Sequence, residues 1–163
     1  MRGLEFDYTA ERAYCNECGS EIFIPKLHDQ NLQKIDHAWA LEPSDAIALQ
    51  KKLAGQVIRE TTLDEVHTVA GVDASYREGI ARAAVVTLSF PGLEIVEYAV
   101  ATRPIDYPYV PGLLSFREAP AVLDAFEKLT VAPDLLIFDG HGIAHPRRIG
   151  IASHIGLVVD RPS

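Results

Sequence analysis

Three strand-like runs follow one another with almost nothing between them: "HTVAGVDASY" from His67, "RAAVVTLSF" from Arg82 and "LEIVEYAVA" from Leu93. The second link is only the "PG" of Pro91 and Gly92, and Ile95 and Glu97 are among the alternating residues of the third run. Links this short cannot carry the crossover that parallel neighbours require, so the runs predict an antiparallel meander. A 163-residue chain that is 48% hydrophobic has enough apolar surface to build one ordinary core around such a sheet.

The flanking text extends this reading. Upstream, "PSDAIALQKKLAGQVIRE" predicts a helix with Ser44 as N-cap and Ala46, Leu49, Leu53 and Val57 on one face. Downstream, "SFREAPAVLDAFEKL" carries Val122, Phe126 and Leu129 on one stripe, the pattern of a helix packed on a sheet. The continuous apolar run in "PDLLIFDG" predicts a central strand buried on both faces, and "HPRRIGIASHIGLVVD" a short helix and a fifth strand. Three antiparallel strands, a helix, then strand, helix, strand is the order of a ribonuclease H-like fold. The expected class is α/β, with a mixed five-stranded sheet and flanking helices. Residues 1–36 differ in character and form a small Cys-x-x-Cys segment ahead of a domain spanning 37–163.

Composition narrows the function classes. A net charge of -8 argues against a protein that holds nucleic acid mainly along a basic face. It is compatible with a nuclease whose carboxylates hold divalent cations, the metals then meeting the phosphate. No apolar run approaches the roughly 20 residues that span a bilayer, and the N-terminus lacks the apolar core of a signal peptide. The expected setting is the cytoplasm, away from membranes, where Cys15 and Cys18 read as a metal or redox pair rather than a disulfide framework.

Three acids stand at telling places. Asp73 is expected to end the first strand, Glu118 to lie at the start of the helix after the third, and Asp139 to end the fourth strand. Side-by-side first and fourth strands would bring Asp73 and Asp139 together, and converging carboxylates read as a magnesium or manganese site. Acids also cap strands and helices for structural reasons. In "DGHGIAHPRRIG" two glycines, Gly140 and Gly142, bracket His141, and His145 follows; the turn either approaches a flat ligand or is simply tight. Arg117, Arg147 and Arg148 are candidates for backbone contact, or plain surface arginines.

"GVDASY", "YPYVPGLLSFREAP" and "DGHGIAHPRRIGIASHIGLVVDRP", in this order and spacing, resemble the successive motifs of the endonuclease V family of deoxyinosine-cleaving repair nucleases. The resemblance runs from about residue 46 to the last residue. It implies that Asp73, Glu118 and Asp139 hold Mg2+, with Mn2+ able to substitute, and that Tyr109 is a wedge entering the duplex at the lesion. Pro108 and Pro111 would stiffen the turn that carries it. Gly112, Leu114, Gly140, Gly142 and His145 would line the pocket for the flipped hypoxanthine.

The implied reaction is hydrolysis of the second phosphodiester 3′ to deoxyinosine, leaving 3′-hydroxyl and 5′-phosphate ends. The implied partner is damaged DNA, with inosine RNA an alternative. Past the fifth strand the family continues into a segment with a functional lysine and a later helix bearing a histidine, and this text stops before both. An exposed apolar sheet face and self-association are the expected consequences.

The first 36 residues fall outside that resemblance. "YTAERAYCNECGSEIFIPKLHDQNLQKID" is similar to the second half of a zinc ribbon of the kind found on some antitoxin and transcription-regulator proteins. Cys15 and Cys18 supply two thiolates where a closed zinc site takes four ligands; His28, an ion shared between two chains, or no metal at all complete the options. Three functions therefore stand: a lesion-directed nuclease, a binder of inosine-containing nucleic acid that does not cut, and a zinc-linked interaction module.

Overall fold

A computed structural model of the chain describes residues 13–14, 21–22, 39–61, 63 and 65–163. The backbone of strand β1 (Ala13–Tyr14) pairs antiparallel with β2 (Glu21–Ile22). Cys15, Cys18 and His28 lie outside the described residues.

Helix α1 spans Pro43–Leu53 and is followed by a 3-10 turn, Ala54–Gln56. It starts earlier than the expected Ser44 cap. Glu42 is the N-cap, without a side-chain cap bond, and Pro43 opens the first turn, where a missing N–H costs nothing. Asp45 in the first turn and Lys51 and Lys52 in the last complement the helix dipole. Ala46 and Gln50, four apart, are its buried residues, whereas Leu49 and Leu53 are half-buried and Val57 lies past the helix in extended backbone.

Strands β3 (Thr68–Arg77), β4 (Ile80–Ser89) and β5 (Ile95–Pro104) form the expected antiparallel meander. Strand β6 (Leu135–Phe138) pairs parallel with β3, giving the order β5-β4-β3-β6. Ala70, Val72, Ala83, Val85, Ala99, Ala101 and Leu136 share the buried face. Alanines predominate there, so helix α2 (Leu114–Phe126) approaches closely and sinks Phe116, Val122 and Phe126 into the core. Leu129, just past the helix, completes the predicted stripe.

Two expectations change. First, β6 is an edge strand of this sheet, and it is not buried on both faces: Leu136 points to the core, while Ile137 is 57% exposed. Second, no fifth strand follows among the described residues. Residues 141–150 form turns, and helix α3 (Ile151–Val159) occupies the text expected to end as a strand, so the main sheet has four strands. Ile151 and Ile155, four apart, are both buried in the core, which is helical spacing. Asp160 ends the helix in the left-handed conformation, and the Pro162 carbonyl then accepts from Leu136 N at 2.9 Å.

The sheet's other face is apolar and open, as expected. Tyr98, Val100 and Ile137 are exposed on it, with Val86 and Leu88 half-buried between them. Among the described residues no helix is long and apolar enough to cross a membrane.

Candidate functional site

The β3–β6 register decides where the acids meet. The last parallel pair is Val72 with Phe138, so the next residues, Asp73 and Asp139, leave the pairing side by side. Asp73 does not end its strand, as expected from the sequence; β3 runs on to Arg77 against β4, and it is β6 that stops. Asp73 and Asp139 are both exposed, and Asp73 Oδ1 accepts from the Ala74 amide at 2.8 Å.

Glu118 comes from the second turn of α2 and is 7% exposed. The Tyr76 hydroxyl, from the far end of β3, donates to Glu118 Oε1 at 2.6 Å. Burial pushes the Glu118 carboxyl above its ordinary range, and the charges of Asp73 and Asp139 add to that push against the Tyr76 bond and the Arg117 guanidinium. The bond to Glu118, with burial, pushes the Tyr76 phenol up to about 12. Arg117 lies 5.1 Å from the Tyr76 ring centroid and donates to the Tyr107 carbonyl at 2.9 Å. Sequence patterns gave no warning of Tyr76, since an aromatic at a strand end is unremarkable.

The three acids share one neighbourhood, but among the described residues no three of His, Cys, Asp and Glu converge closely enough to hold an ion as they stand. Their chemistry is a consistent one. All donors are carboxylate oxygens, which suit a hard divalent cation such as Mg2+ or Mn2+. The hydrogen bond from Tyr76 occupies only one Glu118 oxygen.

A cavity of about 200 Å³ opens against Arg117, the residue before Glu118, and His141, two residues after Asp139. Pro108, Tyr109, Pro111, Gly112, Leu114 and His145 all line it; Gly140 and Gly142 do not. Tyr109 stands 74% exposed at its mouth. Gln50, His141, Gly150 and Ile151 also line the cavity, and none was singled out as a pocket residue from the sequence. Gln50 was hidden because a polar residue in a helix is normally solvated.

Hydrogen bonds lock the cavity wall. The Gly112 carbonyl accepts from Gln50 Nε2 at 3.1 Å and Arg147 Nη2 at 2.6 Å, and lies 3.1 Å from His145 Nε2. Gly112 itself has φ of +80°, and a Cβ there would come within 2.6 Å of Arg147 Nη2. Burial, with Arg147 beside it, pushes the His145 imidazole below its ordinary range. The Gly142 carbonyl accepts from Gly150 N and His145 N. Neither Gly140 nor Gly142 has positive φ; at Gly140 a Cβ would meet Ile151 Cγ2 at 2.5 Å, so close packing on α3 accounts for that glycine. Arg148 is exposed and donates to the Ile143 carbonyl at 3.2 Å.

Residues 51–163, which carry this acidic neighbourhood and nearly all of the cavity wall, match the family model for Endonuclease V. The chain belongs to the endonuclease V family. An Endonuclease V from Roseiflexus sp. (strain RS-1) is 56% identical over 131 residues, covering 80% of this chain and 59% of that protein. The crystal structure of the Endonuclease V from Streptomyces avermitilis superposes with a TM-score of 0.71 at 40% identity, covering 76% of this chain and 56% of the other. That of Ciona intestinalis Endonuclease V, in complex with a 24mer DNA containing an inosine followed by a ribo-adenosine, gives 0.66 at 28% identity, covering 72% and 54%. The chain thus spans somewhat under three-fifths of the length of the endonuclease V relatives it matches.

Proposed function

We propose that this chain acts in metal-dependent cleavage of nucleic acid at deoxyinosine, with Asp73, Glu118 and Asp139 as the acidic cluster. The observation that carries the reading is the β3–β6 register, which sets Asp73 beside Asp139 within reach of Glu118's field. A bound Mg2+ would act as a Lewis acid at the phosphate and lower the pKa of a bound water, the usual contributions of such an ion to phosphodiester hydrolysis. The chain's own part is to hold the two exposed aspartates at a fixed spacing and to hold Glu118 through Tyr76. Three strands and a parallel fourth beside the first support a ribonuclease H-like assignment for the sheet.

Lesion recognition falls to the adjoining cavity. Tyr109 is exposed on a turn in which Pro108 and Pro111 each hold their own φ, and a ring carried on so stiffened a turn is suited to enter a base stack. Unstacking one base costs a few kcal/mol, which contacts in the cavity must offset. The Gly112 and Gly142 carbonyls are already engaged in the hydrogen bonds above, so reading of the base edge falls to donors on the wall rather than to these acceptors. Inosine-containing DNA as the partner draws support from the Ciona relative, whose structure contains it.

A second reading is binding without cutting, since the Tyr109 cavity is lined without any of the three acids. A nicking assay on a duplex with one deoxyinosine and Mg2+, beside Asp139→Ala, separates the two. Lesion-dependent nicks that vanish in the variant support cleavage. Folded protein that binds the lesion duplex and never nicks it supports the second reading, and no preference for the lesion at all overturns both.

A further inference from the structure

We propose that Gln50 is a positioning residue for lesion recognition, holding the turn that carries Tyr109 and the Arg147 loop as one rigid wall. The inference rests on the recognition role given above to the Tyr109 cavity. Gln50 is 1% exposed, on the inner face of α1 one turn beyond Ala46. A buried amide is costly unless both its ends are satisfied, and here both are used across long stretches of chain. Its Nε2 donates to the Gly112 carbonyl at 3.1 Å, with the Ile149 carbonyl at 3.5 Å, and its Oε1 accepts from Arg147 Nε at 2.7 Å.

Arg147 closes the ring. Its Nε goes to Gln50 Oε1 and its Nη2 to the Gly112 carbonyl at 2.6 Å, so one planar guanidinium spans both oxygens. A lysine, with a single charged nitrogen, could not hold that fork. Three segments meet in the ring: α1, the turn three residues after Tyr109, and the loop before α3. Two of its members, Gln50 and Gly112, line the cavity, and Arg147 braces them from behind. A ring so placed fixes the Gly112 peptide and, through the short Val110–Pro111 connection, the direction of Tyr109. An apolar residue at position 50 would fill the space but leave the turn to be held by Arg147 and His145 alone.

The test is Gln50→Leu in the full chain, with two readouts. In free protein, hydrogen exchange should quicken by about tenfold at the Leu113 amide, which donates to the Val110 carbonyl at 2.9 Å, while amides of β3 and β4 are unchanged. In binding, the affinity ratio of a deoxyinosine duplex to its undamaged counterpart, measured with Mg2+, should fall by about tenfold. Affinity for the undamaged duplex should stay within about twofold, since phosphate contacts are common to both duplexes. If Gln50→Leu does not fold, Gln50→Asn, whose shorter amide cannot reach both the Gly112 carbonyl and Arg147 Nε, takes its place with the same readouts.

Unchanged exchange at Leu113, or an unchanged affinity ratio in a folded variant, overturns the proposal. A wild-type chain that shows no preference for the lesion overturns the recognition reading and the positioning role with it. The exchange result then still reports whether the ring holds the turn, so the two failures are distinguishable.

Discussion

At Gly112 and Gly150 a single methyl group is enough to test the site. Gly112 combines φ of +80° with an Arg147 guanidinium in the place of a Cβ. The guanidinium is the far end of a flexible side chain and can move, so Gly112→Ala should cost about 1–2 kcal/mol, mostly from the left-handed backbone. Gly150, the N-cap of α3, has ordinary φ, but a Cβ there would overlap the His141 backbone carbonyl. Backbone cannot step aside, so Gly150→Ala should cost about 3 kcal/mol or more. Urea unfolding of both variants checks the ranking, and equal losses would contradict the packing at His141. The sequence shows these glycines but not their reasons. Gly140 and Gly142 drew the attention because they flank a histidine, whereas the tightest constraint falls on Gly150, which no motif grammar separates from an ordinary helix start. Glu118 and Asp139 lie near element ends as expected, whereas Asp73, expected to end its strand, lies inside β3; Tyr76, which donates to Glu118, was not legible, because its place depends on how far β3 outruns β6.

Elements with one clear period were read correctly, and the continuous apolar runs were not, β6 in its burial and α3 in its type. The β3–β5 meander and the α2 stripe follow from alternation and from helical spacing, with links too short for other topologies. In α3 the residues Ile151 to Gly156 are all buried, so neither face is polar and periodicity has nothing to mark. An apolar run of that kind reads equally as strand or helix. Its burial gives the element a pH signature. His154 in α3 packs against the Trp39 and Phe116 rings, pairs through Nδ1 with Ser115 Oγ at 2.9 Å, and is pushed down to about 4 by burial. A histidine held neutral in the fold and titrating near 6.5 when unfolded contributes fully above pH 6.5, and its contribution is lost as pH falls from there toward 4. From pH 7 to pH 5 the wild-type melting temperature should therefore fall by about 5 °C more than that of His154→Gln. Parallel melting curves for the two proteins would contradict the assignment of that loss to His154.

For the molecule as a whole, the open sheet face and the net charge pull in opposite directions. Tyr98, Val100 and Ile137 present apolar surface from both edges of the sheet, and a contiguous patch of this kind favours association. A net charge of -8 opposes it by mutual repulsion between copies. Val86, Tyr98 and Val100 fall on one side of the pleat, and the apolar face they make was an expectation from the family resemblance rather than from alternation. The balance of the two forces predicts the response to salt. Repulsion between exposed charges is screened over a Debye length of about 8 Å at physiological ionic strength, whereas apolar contact is not weakened by added sodium chloride. Weight-average sedimentation coefficients should therefore rise with protein concentration, and the rise should begin at lower protein concentration in high salt than in low. Tyr98→Lys with Ile137→Lys should abolish the rise while leaving the far-ultraviolet circular dichroism unchanged, since both side chains are exposed and substitutions at such positions usually shift stability by about 0.5 kcal/mol or less. Association that weakens as salt increases would instead locate the contact at charged groups and remove the sheet face from the account.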